Sequence, residues 1–177
     1  MNIINLKNFK EYDFFEDFSN WLQKDLNEVN KIILETLETD SSLVTDLSNH
    51  IIQAGGKRIR PLLTLATSKL CGYSGKRHLS LASVIEFIHT ATLLHDDVVD
   101  SSKKRRGKKT ANFIWGNKSS ILVGDFLLSR AFMLLVNDGS LKCIDIISNV
   151  SEKISFGEVK QLMSVGKLDT SESDYLE

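Results

Sequence analysis

Leu93-Leu94-His95-Asp96-Asp97-Val98-Val99-Asp100 puts three carboxylates within five residues of an otherwise apolar segment. The apolar spacing upstream predicts a helix over about 80–100 that is hydrophobic nearly all round, and so central and buried. On such a helix Asp100 falls roughly 40° around from Asp96 and about 6 Å along the axis, with Asp97 near 100°. Like charges held that close repel unless a cation neutralises them or one takes up a proton. Hard carboxylate oxygens suit Mg²⁺, which is held by one or two carboxylates together with substrate phosphates. The spacing therefore predicts a metal-bridged phosphate site. The plainer alternative is three acids on the exposed end of a helix.

Outward from this stretch the chain reads as all-α. There is one proline in 177 residues, and long segments carry apolar residues at spacings of three and four. Phe14, Phe15, Phe18, Trp21, Leu22, Leu26, Val29, Ile33 and Leu37 form one such stripe. Further helices are expected over about 42–53, from Pro61 to near Gly72, over 118–137 and over 140–165, the last two separated by Asn137-Asp138-Gly139. No alternating strand pattern or hairpin signal is visible. No repeat or low-complexity linker divides the chain, so residues 1–177 are expected to form a single helical domain, with tails at 1–13 and 166–177 around helices within 14–165.

Two basic elements flank the carboxylates. Lys103, Lys104, Arg105, Arg106, Lys108 and Lys109 occupy six of seven consecutive positions. Such a run can be a solvated loop or a nucleic-acid patch, but 22 basic against 23 acidic residues leave a net charge of -1, without the excess of a polyanion binder. Next to a carboxylate cluster, the run fits the cationic side of a diphosphate site, where arginine forks match pairs of phosphate oxygens. Upstream, Gly55-Gly56-Lys57-Arg58-Ile59-Arg60-Pro61 permits a tight turn. Pro61 suits the first position of a helix and biases Arg60 away from helical geometry. Lys57 and Arg60 are then expected on a loop feeding a helix N-terminus, a natural anion site. Two cationic sites suggest two phosphorylated substrates.

In that order and spacing, Gly55–Pro61, Asp96/Asp97/Asp100 and Arg105-Arg106-Gly107-Lys108 resemble the trans-isoprenyl diphosphate synthases. Ile85–Leu94, Leu122–Leu127 and Gly157–Leu162 resemble the long-chain, octaprenyl-type branch, and the resemblance runs from about residue 45 onward. It implies the first half of an isoprenoid-synthase-type helical bundle. It also implies a Mg²⁺-dependent prenyltransferase that condenses isopentenyl diphosphate with an allylic prenyl diphosphate into a long all-trans chain. Asp96 and Asp100 would be the metal ligands, supported by Asp97, and Arg105 would bind the allylic diphosphate. Lys57, Arg60, His89 and Arg106 would hold isopentenyl diphosphate. His89 lies only about 20° around the helix from Asp96, on the same stripe. In the family, bulky aromatics just before the aspartates stop elongation early. Ala91 and Thr92, with Ile88 below them, imply an open floor and a long product.

The family also uses a second aspartate-rich motif and a Lys-Thr pair, and no such cluster follows Asp100. The chain is accordingly expected to represent about half of the usual synthase: a truncated product, a fragment, or part of a split enzyme. A non-catalytic or partner-dependent subunit is the alternative reading, and a homodimer is expected for the complete enzyme. A more distant rival is an HD-type metal phosphohydrolase, with His95 and Asp96 binding metal beside His50. The first dozen residues lack an apolar signal core, the carboxylate helix is a poor membrane span, and the isolated Cys71 and Cys143 form no redox or metal pattern. A cytoplasmic protein without a transmembrane segment is expected.

Overall fold

The helical periodicity becomes eight helices and one small hairpin in the computed structural model, which describes residues 14–53, 56–167, 169 and 171–176. In chain order these are α1 (Phe14–Thr36), α2 (Ser42–Gln53), α3 (Ile59–Leu70), α4 (Arg77–Val99), β1 (Lys104–Arg105), β2 (Lys108–Lys109), α5 (Ala111–Trp115), α6 (Asn117–Asp138), α7 (Leu141–Ser164) and α8 (Glu172–Leu176). The tail expected over 1–13, together with Gly55, lies outside the described residues. The contacts divide the chain into two compact units, one ending at Asp138 and the other beginning at Gly139.

In the first unit α4 is central, as its all-round apolar character requires, and it packs against α1, α3, α5 and α6. Its fully or nearly fully buried residues include Ala82, Val84, Phe87, Ala91 and Leu94, which meet a core built from Leu22, Val29, Leu62, Leu65, Val123 and Leu127. Truncating any one of these leucines to alanine is worth about 2–5 kcal/mol. α6 runs antiparallel to α4. Arg77 at the start of α4 forks onto Asp138 at the end of α6, with Nε and Nη2 donating at 2.7 and 2.6 Å. At the other end Ser120 Oγ donates to Leu94 O. A side chain at Gly124 would collide with the His95 ring, so this glycine sets how closely the two helices approach. By length and composition α6 could cross a membrane, which the expectation of no transmembrane segment overlooked, but its face formed by Val123, Leu127, Ala131 and Leu135 is buried in the unit.

Several boundaries differ from expectation for identifiable reasons. α3 begins at Ile59, two residues before Pro61, so Arg60 is in the helix rather than on a loop. The first N–H groups of a helix have no intrahelical acceptor, so a proline anywhere in the first turn costs little. The helix ends as expected around Gly72, whose φ of 67° lets Gly72 N–H bond Lys69 O and Tyr73 N–H bond Ser68 O. Trp21, read as part of the α1 stripe, is exposed and instead carries Lys69 over its ring.

The hairpin was not expected at all. Lys104 pairs with Lys109 and Arg105 with Lys108, across Arg106 and Gly107 at φ 52° and 80°. Two consecutive positive φ values are the mark of a type I′ turn. In the second unit Gly139 breaks the chain and Ser140 caps α7 by accepting from Cys143 N–H. Within the expected 166–177 tail, hydrogen bonds from the Ser171 hydroxyl and N–H hold the Asp174 carboxyl of α8 below its ordinary 3.8.

Candidate active site

Three segments meet around the C-terminal half of α4: the start of α3, the hairpin, and the aspartates that end α4. Acids at a helix C-terminus face the negative end of its dipole, and α4 has no basic residue in its last turn to compensate. That weakens the reading of Asp96, Asp97 and Asp100 as simple end-capping acids and favours a cation there. Burial separates the three: Asp97 is buried, Asp96 is half-buried, and Asp100 is exposed as the C-cap.

Asp97 is turned to Arg105. Arg105 Nε donates to both carboxylate oxygens at 3.0 and 3.3 Å, and Nη2 donates to Oδ1 at 2.8 Å. Asp97 main-chain O accepts from Ser102 N–H and from Asn112 Nδ2, both at 2.9 Å. Thr110 Oγ1 donates to Ser102 O at 2.7 Å. On the far side His50 Nε2 donates to Lys109 O at 2.9 Å, with its ring edge-on to Trp115. These bonds fasten the hairpin to the end of α4. Among the described residues no three His, Cys, Asp or Glu side chains converge as a preformed metal cage. Asp96 and Asp100, one turn apart on the more exposed side, match the one or two carboxylates that Mg²⁺ takes alongside phosphate oxygens.

The second cationic element approaches from α3. Arg60 Nη1 donates to His89 Nε2 at 3.2 Å, so the imidazole proton belongs on Nδ1. Burial, then the charge of Arg60, lowers the His89 pKa from its ordinary 6.5, with smaller contributions from Arg106 and Arg105 and opposition from Glu86. His89 is therefore neutral near pH 7. The unfolded chain takes up this proton first as pH falls, so the stability it contributes is complete above pH 6.5 and is lost below it. Lys57 lies over the Phe15 ring. Arg106 lies against Gly56: a Cβ there would come within 2.5 Å of its Nη1. Arg60, His89, Arg105 and Arg106 are thus brought together at one end of the bundle, while the Lys57 ammonium, from the same turn as Arg60, lies over Phe15 instead.

Because the group that would meet a Gly56 side chain is the flexible tip of Arg106, Gly56→Ala is expected to leave stability within about 1 kcal/mol. It should displace Arg106 and weaken diphosphate binding several-fold. Thermal unfolding and a titration of the same variant check both halves of that expectation.

The residues singled out for chain length lie farther down α4: Ala91 is fully enclosed, Thr92 is half-buried with its hydroxyl on His89 O, and Ile88 is half-buried. The pairing expected for an HD-type site is not formed. His95 Nε2 donates to Ile121 O at 3.2 Å and lies 3.5 Å from Asp125 Oδ1, while His50 is held by Lys109. Sequence reasoning missed Gly56's contact, the tie of His50 to Lys109 O, Asn112 and the Arg58–Glu86 ion pair. Only Glu86 carried a signal, as a charge on the buried helix.

This is a helical bundle that gathers arginines and a histidine beside carboxylates at one end of its central helix. The chain belongs to the polyprenyl synthetase family, whose model matches residues 41–177. It is 48% identical over 153 residues to the octaprenyl diphosphate synthase of Escherichia coli (strain K12), covering 86% of this chain and 47% of that one. It is 42% identical to the geranyl-diphosphate-specific all-trans-nonaprenyl-diphosphate synthase of Rhodobacter capsulatus, covering 93% and 51%. Among solved structures, a decaprenyl diphosphate synthase from Rhodobacter capsulatus matches with a TM-score of 0.88 and 47% identity over 92% of this chain and 50% of that one. A polyprenyl synthase from Caulobacter crescentus CB15, complexed with calcium and isoprenyl diphosphate, matches with a TM-score of 0.88 and 45% identity over 92% and 49%. The fold is that of the isoprenoid synthases, and the chain spans about half the length of these relatives.

Proposed function

We propose that these residues form the first metal motif and the two diphosphate subsites of a Mg²⁺-dependent trans-polyprenyl diphosphate synthase. The observation that carries the reading is the gathering of Arg60, His89, Arg105 and Arg106 at the carboxylate-bearing end of α4, with Lys57 on the adjoining turn. Lys57, Arg60, His89 and Arg106 hold the diphosphate of isopentenyl diphosphate. Arg105, with Nε and Nη2 engaged by Asp97, offers Nη1 to the allylic diphosphate. Mg²⁺ on Asp96 and Asp100 would supply Lewis-acid stabilisation of the departing diphosphate. The arginines add fixed positive charge where negative charge develops on the leaving group. The allylic carbon is then attacked by the double bond of isopentenyl diphosphate, and loss of a proton completes a chain five carbons longer. Further polypeptide, in a longer chain or a partner, supplies the second aspartate-rich motif. Outward-facing Leu122, Phe132, Met133 and Val136 on α6 fit a homodimer or partner contact, and free Cys71 and Cys143 fit the cytoplasm.

The chain is tested with farnesyl diphosphate, labelled isopentenyl diphosphate and Mg²⁺, alone and with a polypeptide carrying the other half of the octaprenyl relative. A metal-dependent ladder of long prenyl chains is the expected product. No elongation under either condition contradicts the reading. In the active combination Thr92→Phe is expected to shorten the ladder, because a half-buried position can take a ring that the enclosed Ala91 cannot.

An anion beside His89 raises its depressed pKa, so binding isopentenyl diphosphate near pH 6 should take up a proton. Calorimetry in buffers of different ionisation enthalpy reads that uptake. It should exceed that of His89→Gln, where only the diphosphate's own protons shift, and the difference should fade as pH rises past 7.

A further inference from the structure

Arg58 stands between two proposed ligand-binding residues but does not face the ligand. Its backbone is left-handed, with φ 48° and ψ 34°, at the N-cap of α3. An arginine in that region costs about 1–2 kcal/mol that a glycine would not incur. No side-chain cap bond offsets this cost. Instead the guanidinium reaches across the bundle, where Nη1 pairs with Glu86 Oε1 of α4. Glu86 is itself 9% exposed. The pair borders a small cavity lined by the apolar Ile33, Leu37, Phe87 and Leu127 and by the hydroxyl-bearing Ser48 and Thr90. A carboxylate so placed is costly unless it is paired, and Arg58 is the partner the structure provides.

The position of this pair gives it a role beyond neutralisation. Glu86 and His89 are three residues apart and lie on one face of α4. Glu86 holds Arg58, and His89 accepts from Arg60. The turn entering α3 is thus held at two adjacent points on a rigid helix, and Lys57 and Arg60 flank the residue that is pinned. Releasing Arg58 would remove the inner point and with it the reason for the left-handed kink that aims its neighbours.

We propose that the Arg58–Glu86 ion pair is a positioning device for the isopentenyl-diphosphate subsite, fixing the 56–60 turn so that Arg60 meets His89 and the Lys57 backbone is held beside it. The assignment of that ligand rests on the function proposed above. Neither member touches substrate; both act through the backbone of the turn.

The test uses the whole chain and three variants. Arg58→Gly keeps the left-handed backbone at low cost while cutting the tether; because it leaves Glu86 unpaired, its fold is checked by circular dichroism before binding is read. Glu86→Ala removes the acceptor, and Glu86→Gln retains an amide oxygen for Arg58. Binding of isopentenyl diphosphate is expected to weaken about tenfold in Arg58→Gly and Glu86→Ala and to recover most of the way in Glu86→Gln. Mg²⁺-dependent binding of an allylic diphosphate should stay within about twofold, since a turn on α3 does not order Asp96 or Asp100. Amide exchange over 57–62 is read in parallel and should accelerate in Arg58→Gly. Wild-type affinity and wild-type exchange in that variant overturn the proposal. If wild type itself shows no Lys57- and Arg60-dependent binding of isopentenyl diphosphate, the ligand assignment fails, and the exchange result alone decides whether the pair orders the turn.

Discussion

Replacing Asp96 with alanine is expected to abolish the Mg²⁺-dependent part of allylic diphosphate binding, a loss of about 100-fold or more. Asp96 is on the half-buried side of the last turn of α4, one turn from the exposed Asp100, and these are the two carboxylates proposed for the cation, since the Asp97 carboxylate is engaged by Arg105. Removing even an outer-shell partner of a metal ligand typically costs 10–100-fold in metal affinity, so losing one of two protein ligands belongs at or beyond the top of that range. The helix dipole makes the expectation sharper: with no basic residue in the last turn of α4, the negative end of the helix favours the cation proposed for Asp96. Binding of isopentenyl diphosphate should be nearly unchanged in the same variant, because its subsite is built from cationic side chains. Allylic binding that keeps its full metal dependence in Asp96→Ala would count against the assignment.

Asp97 should behave differently from its neighbour. Its substitution is expected to damage the hairpin before it damages metal binding. The Asp97 side chain is 7% exposed and that of Arg105 38% exposed, so the pair is intermediate between a surface bridge and a buried one. Asp97→Ala should therefore cost about 2 kcal/mol, between the ~1 kcal/mol of exposed pairs and the ~3–5 kcal/mol of broken buried ones. For a protein of this size that is a fall in Tm of roughly 4–8 °C. The bonds to Asp97 main-chain O survive the substitution, so the hairpin stays attached at its base while Arg105 loses its orientation. Asp97→Asn, which keeps an acceptor for Arg105 Nη2, should lose about half as much stability. Differential scanning calorimetry with amide exchange over 104–109 separates the two variants. Equal metal dependence of the loss in Asp96→Ala and Asp97→Ala would show that the three aspartates act as one cluster after all.

The parts of this molecule that the sequence displays openly are those governed by short-range pattern. α4 is apolar all round, and that alone marks it as central. Gly72 and Gly139 end helices because a positive φ is cheap only for glycine, so those boundaries are readable. The start of α3 is not, because a proline within the first turn does not say which of the first positions it occupies. The hairpin escaped for a related reason. Its strands are two residues each, entirely basic, and are held by Asp97, Thr110 and His50 rather than by alternating hydrophobicity. Arg106-Gly107 was the one local signal for its turn.

The candidate site divides along the same line. The residue types and order of Lys57, Arg60, His89, Arg105 and Arg106 are those expected of a diphosphate site, and folding brings all but the Lys57 ammonium together at one end of the bundle. Helical angles alone, however, grouped Asp97 with Asp96 and Asp100. A competing cation decided otherwise, because the Arg105 fork is delivered by a turn eight residues on. The Arg58–Glu86 pair spans 28 residues and depends on how α3 meets α4, so no local pattern could reveal it.

The most direct test of the central claim is a titration of this chain with isopentenyl diphosphate and, separately, with an allylic diphosphate, each in Mg²⁺ and in excess chelator. Two subsites of different construction predict a split result: isopentenyl diphosphate binds in both conditions, and the allylic diphosphate binds only with the metal. Binding of neither ligand, or allylic binding that is indifferent to chelator, would contradict a carboxylate–metal site on α4 facing a separate cationic subsite on α3.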